Sequence, residues 1–138
     1  MPFYGWLLSR MSGIKIDRQA GAASVKNLLK SSDKYLKQQQ NIIIFPQGTR
    51  VSTNTSVKDQ QYQAGIFAMY KYSKCLVLPV ALNSGVFWNN NQKTKGVITI
   101  EFLAPIEPGL KREDFMAKLE NDIEEKSKKL ADSAQKAL

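Results

Sequence analysis

The sequence predicts an α/β domain built on a mostly parallel sheet that is flanked by helices. Two apolar runs, 42–45, which is rich in β-branched residues, and 76–82, have the composition of strands buried on both faces of such a sheet. Segments with apolar residues at helical spacing alternate with these runs, as in α/β proteins. A length of 138 residues suits one domain, in which we take 1–112 as the α/β body and 113–138 as a charged C-terminal helix.

The first third of the chain is predicted to form a helix, a strand, a longer helix and a second strand. Residues 2–11 are mostly apolar, begin with proline and are followed by Ser12-Gly13, which is typical of a short helix. Residues 14–16 alternate like a strand. Apolar residues recur at helical spacing over 22–39, and the continuous apolar run of 41–45 predicts a buried strand that ends at a proline.

The remainder of the chain is predicted to contain two helices and two strands separated by loops. A polar loop at 47–61 precedes a helix at 64–72 and the strand at 76–82. A Gly- and Asn-rich loop at 83–96 then leads to a strand at 97–102. The last helix, 113–135, has four apolar residues on one side: Phe115, Leu119, Ile123 and Leu130.

The charge distribution predicts an anionic partner. The net charge is +8, and residues 1–100 contain 13 Lys and Arg against 3 Asp and Glu, whereas residues 101–138 contain 7 against 9. A basic body of this kind suits nucleic acid, a phospholipid surface or a phosphorylated small molecule. Zinc-ligand spacing, a Gly-rich nucleotide loop and RNA-binding aromatic motifs are all lacking, so we expect neither a nucleic-acid partner nor a metal site.

The motif Phe-Pro-Gln-Gly-Thr-Arg at 45–50 follows the first predicted buried strand, where open α/β sheets bind ligands. Pro46 ends the strand, and Gly48 lets backbone amides approach an anion closely. Thr49 offers a hydroxyl, and Arg50 a planar fork that suits two phosphate oxygens. The alternative is a tight turn with a solvated arginine.

This motif resembles the Phe-Pro-Glu-Gly-Thr-Arg block of the 1-acyl-sn-glycerol-3-phosphate acyltransferase family. Residues 13–18, Gly-Ile-Lys-Ile-Asp-Arg, resemble the family's upstream Gly…Ile-Asp-Arg block. Residues 77–85, Val-Leu-Pro-Val-Ala-Leu-Asn-Ser-Gly, resemble its downstream Val-Pro-Val…Gly block. Because three blocks occur in the family's order, the chain is identified as a glycerophosphate-acyltransferase-type domain.

The resemblance implies a site for the phosphate of a lysophosphatidate-type lipid. Arg18 and Arg50 would bind the phosphate, while Gly48 and Thr49 would shape its pocket. Further pocket residues implied by the matching blocks are Asp17, Phe45, Pro46, Gln47, Pro79, Val80 and Gly85. Asp17 has an alternative role as the ion-pair partner of its neighbour Arg18.

Two departures from the family's pattern bear on activity. Gln47 replaces the usual glutamate and therefore cannot act as a carboxylate there. The family's catalytic His-x-x-x-x-Asp block precedes the Asp-Arg block, yet the sequence contains no histidine. We therefore expect a truncated, partial domain whose early strands and catalytic base lie upstream, and whose 138 residues alone do not turn over. The alternative is a non-catalytic phospholipid- or anion-binding module that retains the phosphate pocket.

The expected partners follow from the same resemblance. The family transfers an acyl group from acyl-CoA or acyl carrier protein to the sn-2 hydroxyl of 1-acylglycerol-3-phosphate, giving phosphatidate in phospholipid biosynthesis, without a cofactor. The longest uncharged stretch, 75–92, is interrupted before it reaches the ~20 apolar residues of a membrane span. We therefore expect peripheral association with an anionic membrane surface, on its cytoplasmic side.

Overall fold

A computed structural model describes residue 14 and residues 21–49, 51–53, 55, 60–89 and 92–136. The chain divides into two compact units, Met1–Ile43 and Ile44–Leu138. The predicted helix at 2–11 and most of the predicted strand at 14–16 lie outside the described residues. The division of the chain at residue 112 stays a prediction.

The first unit contains helix α1, Gly21–Lys37, which confirms the helix predicted at 22–39. Its side chains at Ser24 and Ser32 are buried, and the Ser32 hydroxyl donates a 2.7 Å hydrogen bond to the Leu28 carbonyl one turn earlier. Lys37 and Asp33 form an ion pair at 2.6 Å on the outer side. The helix is followed by Gln39 at φ +57°, a left-handed conformation that ends helices.

The apolar run at 41–45 does not form the predicted buried strand. Its backbone is irregular, and no strand among the described residues pairs with it. Ile43 is 85% exposed and Phe45 is 75% exposed. A strand gains its stability from hydrogen bonds to a neighbouring strand and from the side chains packed beside it. Composition alone predicted the burial, and the described part of the chain supplies no such neighbour.

The main sheet of the second unit is antiparallel. Strands β1, Val80–Leu82, and β4, Ile100–Phe102, pair in the register Val80↔Phe102 and Leu82↔Ile100. An isolated antiparallel bridge between Val77 and Ile106 extends the pairing. The strands predicted at 76–82 and 97–102 are therefore present but shorter. The parallel sheet stays a prediction, since both sheets of the described residues are antiparallel.

The main sheet is buried on one face only, which corrects the prediction of strands buried on both faces. On one face, Ala81 is fully buried, and β1 packs against helix α4, Arg112–Lys136. Glu101 on this face forms a 2.6 Å ion pair with Lys126 of α4. On the opposite face Val80 is half-buried, and four further apolar residues are exposed: Leu78, Leu82, Ile100 and Phe102. One layer of helix covers this sheet among the described residues, where the predicted fold needs two.

Helices α2, Gly65–Ser73, and α4 enclose the core of the second unit and confirm the helices predicted at 64–72 and 113–135. The core contains six buried residues: Tyr62, Ile66, Tyr70, Ile106, Phe115 and Leu119. Glu113 and Asp114 lie in the first turn of α4, where carboxylates offset the positive end of the helix dipole.

The loop predicted at 83–96 contains a short helix and a hairpin. Helix α3, Ser84–Phe87, runs directly into β2, Trp88–Asn89, which pairs with β3, Gln92–Lys93. Asn83 fixes the start of this segment, because its buried Oδ1 accepts a 2.8 Å hydrogen bond from the Thr99 amide. The Lys93 ammonium lies 5.2 Å from the centre of the Trp88 ring.

Candidate functional site

The motif predicted to bind phosphate forms a tight turn at 46–49. The Gly48 amide donates a 3.0 Å hydrogen bond to the Phe45 carbonyl, which closes the turn. Gly48 has φ +67°, in the left-handed region where a side chain costs free energy and glycine does not. Thr49 is exposed and Pro46 is half-buried. The glycine thus directs the chain so that Thr49 faces solvent at the end of the turn.

Gln63, which lies just before α2, holds the backbone of this turn. Its amide donates a 2.9 Å hydrogen bond to the Pro46 carbonyl. Its side-chain Nε2 donates a longer bond, 3.4 Å, to the Gln47 carbonyl. Two successive carbonyls of the motif are therefore tied to a residue next to the packed core.

The side chain of Gln47 is directed towards α4. Gln47 Nε2 donates a 3.4 Å hydrogen bond to Oε1 of Glu124, and the same oxygen accepts a 2.7 Å bond from the Tyr62 hydroxyl. Burial raises the pKa of Tyr62 well above its usual value, and the hydrogen bond to Glu124 adds to this. Burial, followed by the charge of Glu124, also raises the pKa of Glu120.

The second predicted block, 77–85, lies close to the segment that follows the turn. A Cβ placed on Gly85 would lie 2.8 Å from Cγ2 of Thr53, four residues after the turn. Pro79 is buried, and its carbonyl accepts a 3.0 Å hydrogen bond from the Leu103 amide. Val80 is half-buried within β1. The glycine at position 85 therefore permits a close approach of the downstream block to Thr53.

The structure places the predicted site residues in three groups. Phe45, Pro46, Gln47, Gly48 and Thr49 form the turn, and Pro79, Val80 and Gly85 belong to the downstream block. Asp17, Arg18 and Arg50 lie outside the described residues. Sequence reasoning missed Tyr62, Gln63 and Glu124, since nothing in the charge pattern of 113–135 distinguishes Glu124 from its solvated neighbours.

Two other kinds of functional feature are lacking among the described residues. No helix in this part of the chain is long and apolar enough to cross a membrane. No group of three or more His, Cys, Asp or Glu side chains within it could hold a metal ion.

Comparison with known proteins supports the motif-based interpretation. The model of the acyltransferase family matches residues 1–83, more than half of the chain. A 1-acyl-sn-glycerol-3-phosphate acyltransferase of Pseudomonas aeruginosa is 35% identical over 88 residues, which are 64% of this chain and 33% of the relative. The chain thus spans about one third of that curated relative's length. No solved structure matches the chain.

Proposed function

Because the chain belongs to the acyltransferase family, we propose that it forms the phosphate-binding part of a glycerophospholipid acyltransferase domain. The reaction proposed for the whole domain moves an acyl group from acyl-CoA or acyl carrier protein to the sn-2 hydroxyl of 1-acylglycerol-3-phosphate. The similar protein from Pseudomonas aeruginosa, by its name, acts on 1-acyl-sn-glycerol-3-phosphate, which supports this acceptor.

The observation that supports this function most strongly is the conformation of the turn at 46–49. A Gly at φ +67° followed by an exposed Thr is a backbone that an anion can approach closely. Gln63 and Glu124 restrain this turn from outside the motif, so it is preorganised before a ligand arrives. Arg50, the next residue in sequence, would then supply the charge that binds the phosphate.

The chemical step requires a base, and the residue type that serves as the family's base is missing from the 138 residues. The sn-2 hydroxyl oxygen attacks the thioester carbonyl carbon, a base takes the hydroxyl proton, and the carbon–sulfur bond breaks to release the thiol carrier. The family's base is histidine, and the sequence has none. We propose that a His-x-x-x-x-Asp segment outside this chain supplies the base, and that the chain alone does not turn over.

The finer proposal is that the complete domain contains a mostly parallel sheet with helices on both faces, and exposed apolar surface supports the second layer of helices. Ile100 is 59% exposed and Phe102 is 68% exposed on the uncovered face of the main sheet. Apolar side chains of this size lose roughly 1.5–3 kcal/mol each when they stay in water. Helices outside the described residues would cover this face and remove that cost.

The proposed membrane partner is an anionic lipid surface bound peripherally. The excess of positive charge over 1–100 favours such a surface. The exposed Trp88, with Lys93 over its ring, combines an aromatic side chain with a cation, as interfacial residues often do.

Two measurements test the proposal. Calorimetric titration of the chain with a short-chain 1-acylglycerol 3-phosphate should show saturable binding, and 1-acylglycerol without the phosphate should not bind. Thioester-dependent phosphatidate formation should be absent for the chain alone and should appear when a His-x-x-x-x-Asp segment is supplied, fused or in trans. Turnover by the chain alone, or equal binding of the two lipids, would contradict the proposal.

A second candidate function is a non-catalytic phospholipid- or anion-binding module. The absence of histidine favours it, together with the intact turn at 46–49. Under this alternative, phosphate-dependent binding persists, but no upstream segment restores turnover. The two measurements therefore separate the two candidates.

A further inference from the structure

One carboxylate oxygen of α4 accepts hydrogen bonds from two different parts of the chain. Glu124 Oε1 lies 2.7 Å from the Tyr62 hydroxyl and 3.4 Å from Gln47 Nε2. Tyr62 is 5% exposed and belongs to the core, so its position is fixed by packing. Glu124 is therefore held in place by a core residue while it receives the side chain of the motif.

The contact between Gln47 and Glu124 adds a third restraint to the turn at 46–49. The other two are the hydrogen bonds from Gln63 to the Pro46 and Gln47 carbonyls. Those two bonds restrain the backbone on one side, whereas Glu124 restrains the side chain that projects from it. Removal of the Glu124 contact leaves Gln47 free to rotate and loosens the residue directly before Gly48.

The two partners are chemically matched at this contact. An amide donates to a carboxylate, and a charged acceptor makes the bond stronger than a neutral one. A glutamate at position 47, the residue in the family's block that this motif resembles, would place two carboxylates within about 3.4 Å of each other. A glutamine at position 47 is therefore chemically complementary to the glutamate at position 124, and a glutamate at position 47 would not be.

We infer that Glu124 is a positioning residue of the phosphate site, which fixes the turn at 46–49 through Gln47 and makes the C-terminal helix part of the binding machinery. This inference rests on the proposed function, because the turn must bind the phosphate for its position to matter. Glu124 itself does not touch the ligand. Its effect on binding passes through the amide of Gln47.

A charge exchange between the two positions tests the inference on the full chain. The variants are Gln47→Glu, Glu124→Gln and the double variant with both changes, and Glu125→Gln is the matched control. Glu125 lies next to Glu124 on the same helix but pairs with Lys129 on the exposed side. Its replacement by glutamine therefore removes one negative charge from α4 without removing the contact to Gln47. The readouts are affinity for a short-chain 1-acylglycerol 3-phosphate and the ¹H–¹⁵N resonances of Gly48 and Thr49.

The expected pattern is loss in both single variants and recovery in the double one. The loss should be smaller in Glu124→Gln, because a neutral amide oxygen is a weaker acceptor than a carboxylate. Gln47→Glu should weaken binding by at least about tenfold and shift both amide resonances, because two like charges face each other. The double variant restores one donor amide and one acceptor carboxylate, so affinity should return to within about threefold of the unmodified chain. Glu125→Gln should leave affinity and both resonances unchanged.

Each other outcome has a defined meaning. If the double variant binds no better than Gln47→Glu, the positioning role of Glu124 is overturned. If Gln47→Glu does not fold, recovery of a folded spectrum in the double variant supports the role, and failure to recover overturns it. If the unmodified chain shows no saturable binding, the proposed function fails, and the amide resonances of the single and double variants still decide whether Glu124 positions the turn.

Discussion

The ring of Tyr70 stacks on the ring of Phe115, with centroids 3.9 Å apart and planes inclined by 14°. Phe115 is fully buried, and Tyr70 is 3% exposed. The Tyr70 hydroxyl donates a 2.6 Å hydrogen bond to the Glu107 carbonyl and accepts one from the Leu110 amide at 2.9 Å. One tyrosine therefore joins α2, the first turn of α4 and the loop that precedes α4.

Loss of the Phe115 ring should destabilise the second unit strongly. Phe115→Ala leaves a cavity under the Tyr70 ring and should lower the free energy of unfolding by about 3–5 kcal/mol. The matched control is Phe102→Ala, since Phe102 is 68% exposed, and its cost should stay below about 1 kcal/mol. Urea denaturation followed by circular dichroism measures both values. Equal costs for the two variants would place Phe115 outside the core.

The helices could be predicted from sequence because their pattern is local. Phe115 and Leu119 are one turn apart, and the structure buries both on the same side of α4. The strands were predicted less well, because burial of a strand depends on distant neighbours. Ile43 is β-branched and apolar, as residues of buried strands often are, but it is 85% exposed among the described residues.

The sequence singles out the contiguous motif at 45–50 as a candidate site, but not the tertiary contacts that hold its turn. Gly48 was expected to let backbone amides approach an anion, and this stays a prediction; its φ of +67° is a conformation that glycine adopts readily. The sequence shows that Gln47 cannot act as a carboxylate, but its hydrogen-bond partner Glu124 lies 77 positions away. No local pattern connects two residues at that separation, so only the fold identifies the pair.

Replacement of Gly48 tests the turn directly. Gly48→Ala forces a side chain into the left-handed region, which costs about 1–2 kcal/mol. We expect a lower thermal unfolding temperature and weaker binding of 1-acylglycerol 3-phosphate. Gly48→Asn is the control, because asparagine tolerates this conformation better than alanine does. If alanine and asparagine behave alike, the conformation of Gly48 does not determine the turn.

The pKa of Tyr62 predicts a loss of stability at alkaline pH. Burial and the hydrogen bond to Glu124 raise this pKa above that of the unfolded chain, so the folded state retains the phenol proton longer. The stabilisation is fully present below about pH 10 and falls by about 1.4 kcal/mol per pH unit above it. Urea titrations between about pH 9 and 11.5 measure this slope.

Tyr62→Phe should remove that part of the alkaline slope. Tyr72→Phe is the matched control, because the Tyr72 side chain is 54% exposed and its loss should leave the slope unchanged. An unaltered slope in Tyr62→Phe would mean that ionisation of this phenol is not coupled to unfolding.

Membrane association should depend on anionic lipid and on salt. Vesicles of phosphatidylglycerol should sediment with the chain, whereas phosphatidylcholine vesicles should not. Binding should fall steeply between about 0.05 and 0.5 M salt, because screening shortens the reach of surface charges. Lys93→Glu, next to Trp88, should weaken binding more than Lys136→Glu at the end of α4. Salt-resistant binding to both lipids would indicate hydrophobic insertion instead.

Arg50 is predicted to be the main phosphate contact, because it follows the Gly-Thr end of the turn. Arg50→Lys should weaken binding of 1-acylglycerol 3-phosphate nearly as much as Arg50→Ala, since an ammonium cannot reproduce a bidentate fork. A charge-assisted bond contributes about 1.5–3 kcal/mol, which is about ten- to a hundredfold in affinity.

The control for Arg50 is Arg112→Ala, which removes an exposed arginine at the start of α4 and should leave affinity unchanged. Calorimetry on the three variants separates a specific fork from general basicity. A fork requires that both Arg50 variants lose affinity and that Arg112→Ala does not. General basicity predicts instead that Arg50→Lys, which keeps the charge, binds as well as the unmodified chain. That result would remove Arg50 from the phosphate site.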